Sequence, residues 1–304
     1  MNEPANILST AFSLGNQAAL LGCGAAVFWG GGDFFGGMGV RAGGGTMRAS
    51  LKLILISHTV SLLLVAGVAL ALHRPLPHGR ELAWGVGCGV AAAVGLMLFY
   101  VALSQGHMGP SAAISGLLSA GIPAAAGMLA QGAPSARQAL GFLIAAASIW
   151  MIAAGAPGER VSRRTVTMSL LAGVSFGVYF IGLRMANSAG LLWAMATARA
   201  GSVTTTAIIL GVLALFTRKE DLRESKFGRR ALQFAMMTVL LDTAGNLMFI
   251  ASTRLGRLDV AAVLASLYPA STILLAAWIL HERPVARQRW GMLLALAAVV
   301  MITL

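Results

Sequence analysis

Apolar runs of some twenty residues recur along the chain, separated by short polar gaps, and that rhythm dictates the architecture. A hydrocarbon core about 30 Å thick needs roughly 20 apolar residues of helix to cross it. Ten segments meet or approach that length: residues 18–40, 51–72, 82–103, 111–130, 139–154, 166–183, 189–216, 231–252, 258–280 and 290–304. The gaps carry turn chemistry, as in His73-Arg74-Pro75, Gly132-Ala133-Pro134 and Pro157-Gly158-Glu159-Arg160. The runs are continuous rather than alternating with period two, and backbone groups in lipid must pair within their own segment. Helices are therefore expected, not a barrel. The expected fold class is all-α integral membrane with ten transmembrane helices.

Sliding the chain against itself by 150 residues gives an ungapped match from Gly95 to Ala154. Gly95 falls on Gly245, Phe99 on Phe249 and Gly106 on Gly256. Pro134-Ser135-Ala136-Arg137-Gln138 falls on Pro284-Val285-Ala286-Arg287-Gln288, and Gly141 on Gly291. Chance supplies scattered Ala and Leu matches in apolar sequence, but not a Pro-x-Ala-Arg-Gln string with the glycines in phase. The chain reads as a duplicated five-helix unit, residues 17–155 and 156–304. Because five is odd, the second copy enters the membrane upside down, giving two inverted five-helix repeats. Inverted repeats with a site at their interface are a recurrent plan for secondary transporters.

Composition and charge agree. Of 304 residues, 58% are hydrophobic and only 11% charged, against roughly 25% charged in soluble domains. The formal net charge of +12 resembles that of a nucleic-acid binder, but the Lys and Arg cluster in the gaps between apolar runs, so no nucleic-acid partner is expected. Gaps after the odd-numbered segments hold fifteen basic residues, among them the run Arg218 to Arg230; the other gaps hold six. By the positive-inside rule the first set is cytoplasmic and both termini are outside. Cys23 and Cys88 lie inside apolar runs without metal-ligand spacing and read as small buried hydrophobes. The first run starts near Gln17 with no basic region ahead of it, so no signal peptide is evident.

Several residues resemble the drug/metabolite transporter superfamily in its EamA-like ten-helix branch. They are Trp29-Gly30, the stretch Gly95 to Tyr100-Val101-Ala102-Leu103, Tyr268-Pro269, and His281-Glu282-Arg283-Pro284 leading into Gln288-x-x-Gly291. The resemblance implies export of a small metabolite, amino acid or drug by alternating access, driven by an ion gradient or by exchange. It also implies cytoplasmic termini, opposite to the charge count, which we keep. The four-helix multidrug relatives carry a carboxylate early in helix 1; here Gly24-Ala25-Ala26-Val27-Phe28 has none.

Ionisable residues inside transmembrane helices are costly and mark candidate sites. Asp33 sits among Gly30, Gly31, Gly32, Gly36 and Gly37, either beside a cavity or capping a helix end near the interface. His58, with Ser57, Thr59 and Ser61, either relays protons or bonds a neighbouring helix. Asp242 is the deepest charge; Asn246 shares its face at i+4, and Arg199 is the one base of comparable depth. Asp242 and Arg199 form either a structural bridge or part of a substrate or coupling site. Tyr100, Tyr179 and Tyr268 line the path or pack as aromatics; Tyr179 follows Gly173-x-x-x-Gly177, and Tyr268 precedes a helix-bending proline. Glu282 reads as interfacial.

Gly173-Val174-Ser175-Phe176-Gly177 fits the esterase pattern, but that motif needs a strand-to-helix elbow and here lies in an apolar run. There is no zincin motif, phosphate loop or Cys/His cluster, so no catalytic residue, metal or cofactor is expected. The expected function is a secondary transporter exporting amino acids or similar small metabolites, with hydrophobic or cationic drugs as the alternative substrates and an intramembrane hydrolase as the alternative from another class. The expected partners are that small molecule, the lipid bilayer, and a proton or exchange substrate. The expected setting is a bacterial inner membrane, spanned many times.

Overall fold

The computed structural model describes residues 3–104, 108–153, 162–216, 227–281 and 283–303. Gly106, the Pro157–Arg160 connection, the basic residues from Arg218 to Lys226, and Glu282 lie outside the described residues. The elements are α1 (Glu3–Ala42), α2 (Met47–Ala71), α3 (Gly79–Ser104), α4 (Met108–Gln131), α5 (Ala136–Ala153) and α6 (Arg163–Ala186). A 3₁₀ turn, Asn187–Ala189, leads to α7 (Leu191–Leu215), α8 (Arg229–Leu255), α9 (Leu258–Ala265), α10 (Tyr268–Ile279) and α11 (Ala286–Thr303). Among the described residues, eight stretches are long and apolar enough to cross a membrane, the last spanning α9 and α10; Ala136–Ile152 is apolar but shorter.

Each expected segment carries a helix, with ends that polar residues extend. Thr46 accepts a hydrogen bond from Ala49 N at 3.2 Å and starts α2 four residues before the apolar run. Ser162 caps α6 in the same way through Thr165 N at 3.1 Å. The first helix begins at Glu3, not near Gln17, because helix geometry continues past the apolar stretch Leu14–Ala42. The ninth segment differs more: the helix breaks at Ser266–Leu267, since Pro269, at the start of α10, has no N–H to continue the ladder.

Small residues decide which helices touch. With lipid as apolar as the helices themselves, association rests on close van der Waals packing at Gly, Ala and Ser. α1 packs along α8, and α3 along α6. A Cβ on Gly245 of α8 would stand 2.6 Å from the Trp29 ring of α1, and one on Gly95 of α3 2.8 Å from the Phe176 ring of α6. Gly85 and Gly89 let α3 lie against α7 at Thr197 and Ala198, where Gly201 faces the Val86 carbonyl. The short helices α5 and α11 pair with each other. There the contacts are reciprocal: a Cβ on Gly141 would meet Ile302 Cγ1 at 2.7 Å, and one on Gly291 would meet Ile152 Cγ1 at 2.8 Å. Their first turns are capped alike, by Gln138 on Ser135 N and Gln288 on Val285 N.

Candidate functional site

Where α1, α3, α4, α6, α7, α8 and the start of α10 converge, they enclose a cavity with about 520 Å³ of empty space, part of it open to the outside. Its wall is aromatic, built from Trp29, Phe99, Phe176, Tyr179, Phe180 and Tyr268. Trp29 stacks on Phe180 with ring centroids 5.0 Å apart and planes 2° from parallel, and Phe249 backs both rings. The polar groups on this wall are Asp33, Ser119, Arg199, Asp242 and Asn246. Asp242 is the middle residue of α8, thirteen residues from Arg229 and from Leu255, so it sits about 20 Å from either end.

Asp242 anchors a chain of hydrogen bonds across four helices. Asn246 donates from Nδ2 to Asp242 Oδ1 at 3.0 Å, and its own Oδ1 accepts from the Tyr179 hydroxyl. Arg199 donates from Nη2 to Asp242 Oδ2, forming a salt bridge, and from Nη1 to His58 Nε2 at 2.8 Å. Its Nε reaches Ser61 Oγ at 3.3 Å, where Thr243 also donates at 2.7 Å. The far nitrogen of the imidazole, Nδ1, lies 2.6 Å from Ser202 Oγ. A guanidinium has only donors, so Nε2 accepts; His58 is therefore neutral, with its proton on Nδ1 and directed at Ser202. Arg199 is 2% exposed and the Asp242 side chain 23%, so the base lies inside the wall and the acid on it.

Asp33 lies within α1, nine residues before its end at Ala42, so it caps nothing. It has no hydrogen-bond or ion-pair partner among the described residues. The glycines before it let α1 come close to its neighbours: a Cβ on Gly30 would stand 2.5 Å from Ser271 Cβ and from the Tyr268 carbonyl, and one on Gly32 3.4 Å from Asp242 Cβ. Thr272 donates to the Gly30 carbonyl at 3.0 Å. The α9–α10 break is thus pressed against the helix that carries Asp33.

Of the eight residues expected from sequence, six border the cavity: Asp33, Tyr179, Arg199, Asp242, Asn246 and Tyr268. His58 is buried behind Arg199 and does not reach the wall. Tyr100 is also buried beside the cavity, its hydroxyl 2.6 Å from where a Gly36 Cβ would stand. Trp29, Phe176 and Phe180 were not foreseen, although Trp29 precedes Asp33 by one turn and Phe176, Tyr179 and Phe180 share a face. Asp259 was missed as well. It is fully buried and takes a fork from Arg257, at 3.0 Å from Nε and 2.7 Å from Nη2, while Arg257 also donates to the Gln131 and Gly132 carbonyls at the end of α4. That hydrogen bond to Asp259 raises the Arg257 pKa above its ordinary value. The esterase-like motif lies inside α6, where Ser175 donates to its own helix at Leu171 O, 2.8 Å away.

Against known proteins, the fold and the second half of the chain have counterparts. A solved crystal structure, described only as that of a protein, has a TM-score of 0.74 over 94% of this chain and 98% of its own, at 15% identity. That likeness is one of fold. No curated protein matches the sequence. Residues 163–304 match the EamA-like transporter family. The chain has the helices of an integral, multi-pass membrane protein, and its second half is similar to the EamA-like transporter family, a family of membrane transporters in the drug/metabolite superfamily.

Proposed function

We propose that the chain is a secondary exporter of amino acids or similar small metabolites bearing an ammonium group, working by alternating access. The observation that carries this is the charge balance of an aromatic-walled cavity at mid-membrane depth. Asp242 is already matched by Arg199, so Asp33 is the carboxyl on the wall without a counter-charge, and a bound cation would supply one. An ammonium group fits beside Asp33, and an apolar body fits the rings of Trp29, Phe176 and Phe180, where cation–π attraction adds to burial. The second reading, a lipophilic cation, draws on the same unpaired carboxylate and rings. The direction of transport rests on the family resemblance alone.

Alternating access in such carriers is built on repeats that meet around the site. We take residues 17–155 and 156–304 to be those repeats, inverted copies whose helices pack against one another. Three features support this: α1 on α8 answers α3 on α6, the Gly141 and Gly291 contacts are mutual, and Gln138 and Gln288 cap alike. The experiment is flux from proteoliposomes holding purified protein, loaded in turn with radiolabelled leucine, lysine and tetraphenylphosphonium. Saturable amino-acid efflux, lost on Asp33→Asn, supports the first reading. Tetraphenylphosphonium flux without amino-acid flux selects the second. If none of the three moves, the substrate assignment fails.

A further inference from the structure

His58 is a buried titratable group that does not line the cavity. Its position nonetheless ties its proton to the state of the central ion pair. Nε2 accepts from Arg199 Nη1 at 2.8 Å and lies 3.9 Å from Asp242 Oδ2, the oxygen that Arg199 Nη2 holds. Arg199 and His58 thus meet around one carboxylate oxygen, and Arg199 also fills the free lone pair of the imidazole. With Nδ1 already protonated toward Ser202, Nε2 is the one place left for a second proton. That proton and the Arg199 N–H cannot occupy the same lone pair.

We propose that His58 is the proton-binding site of the carrier, and that proton uptake exchanges the partner of Asp242 from Arg199 to the imidazolium. The proton enters on Nε2, Nη1 of Arg199 is expelled from that lone pair, and Nε2–H closes the 3.9 Å gap to Asp242 Oδ2. The guanidinium keeps its charge and loses the imidazole as an acceptor, and repulsion from the new imidazolium beside it turns it away from Asp242 toward the cavity that it already borders. No bond other than the N–H forms, and the site gains one positive charge. This proton adds a positive charge beside the cavity, so it opposes a cationic substrate there, which is the requirement for exchange.

The other groups at this depth set the response. The helices around α2 offer Asp33 on α1, Tyr100 and Cys88 on α3, Arg199 on α7 and Asp242 on α8. Arg199 fills the free lone pair of His58 in the described conformation, so the ring can take a second proton only as that contact opens.

The purpose of the exchange rests on the carrier reading, but its test does not, because no substrate is needed. Protein labelled with ¹⁵N-histidine and ¹⁵N-arginine is reconstituted in lipid vesicles and followed by solid-state NMR between pH 8.5 and 4.5. The His58 signal among the five histidines is identified by its loss in His58→Gln, which keeps an acceptor for Arg199. At high pH His58 should show the tautomer protonated at Nδ1 alone. On acidification it should become imidazolium in step with a shift of the Arg199 Nη resonances. In Arg199→Gln the imidazolium should appear at higher pH, since the competing donor is gone. A tautomer protonated at Nε2, a neutral ring down to pH 4.5, an arginine indifferent to the histidine, or an unchanged midpoint in Arg199→Gln would each overturn the proposal.

Discussion

Replacing Asp242 by Asn should cost more stability than replacing its partner, and the burial of the two side chains says why. Asp242→Asn keeps the shape and the bond from Asn246 but removes the negative charge facing Arg199. The guanidinium, 2% exposed, is then left with His58 and Ser61 as neutral partners and little contact with water. Breaking a buried pair from that side costs about 3–5 kcal/mol. Arg199→Gln leaves the carboxylate instead, and that side chain is 23% exposed on a cavity wall where water can reach it. The cost there should be about 1–3 kcal/mol, the range for an under-satisfied polar group. The double variant Asp242→Asn with Arg199→Gln removes both charges and should regain most of the loss, so that the coupling energy approaches the sum of the two single losses. Thermal unfolding of purified protein, read by the monodisperse fraction on size exclusion, orders the four proteins. Flux separates support from function: stability should return in the double variant while transport stays lost. Equal losses in the two single variants would refute the asymmetry, and full transport by the double variant would show that the ion pair is only a strut.

The remaining predictions are simpler. Gly30→Val should destabilise by about 1–3 kcal/mol, because its Cβ would stand 2.5 Å from the Tyr268 carbonyl, whereas Gly37→Ala, with open space around it, should stay within about 0.5 kcal/mol; thermal unfolding compares them. Gly141→Val and Gly291→Val should each cost about 1–3 kcal/mol and differ by less than about 0.5 kcal/mol, since the Cβ clashes are mutual; a strongly unequal pair would deny that the contacts correspond. A cysteine at Ser225, in a chain lacking Cys23 and Cys88, should resist an impermeant maleimide applied outside intact cells, because the basic run there is expected to be cytoplasmic. Rapid labelling would reverse the orientation.

What could be read before the fold was known followed the strength of the physical penalty. Twenty apolar residues have one stable form in hydrocarbon, so every segment was legible, while its ends were not. At the interface, Thr46 and Ser162 can extend a helix at little cost, and hydropathy is silent about them. The break after Ala265 was signalled by Pro269 but submerged in an unbroken apolar run. Asp242, Arg199 and Asp33 stood out because a charge deep in lipid demands a reason. Asp259 did not, since it is the second residue of its segment, where a charge at the interface is cheap, until Arg257 and the end of α4 are seen to enclose it. Trp29 and Phe180 were invisible for the opposite reason: aromatic residues are the ordinary filling of helix bundles, and only the open space beside them marks these two.

The mutual contact of α5 and α11 carries a lesson about symmetry. Gly141 meets Ile302 and Gly291 meets Ile152, so each helix presents to the other the same patch that it receives. In assemblies of separate chains this is an isologous interface, the kind through which two identical subunits close on a two-fold axis. Held in one polypeptide, the two sides of that axis are free to diverge. Identical subunits would have to present every central charge twice, so an arginine facing a carboxylate would face a second arginine as well. A tethered pair can keep the self-matching seam as its adhesive and spend the rest of its sequence on difference. Arg199 and Asp242 both lie in the second half, and their counterweight, Asp33, lies in the first. The lopsided charge of the chamber is thus a freedom that only the single chain possesses.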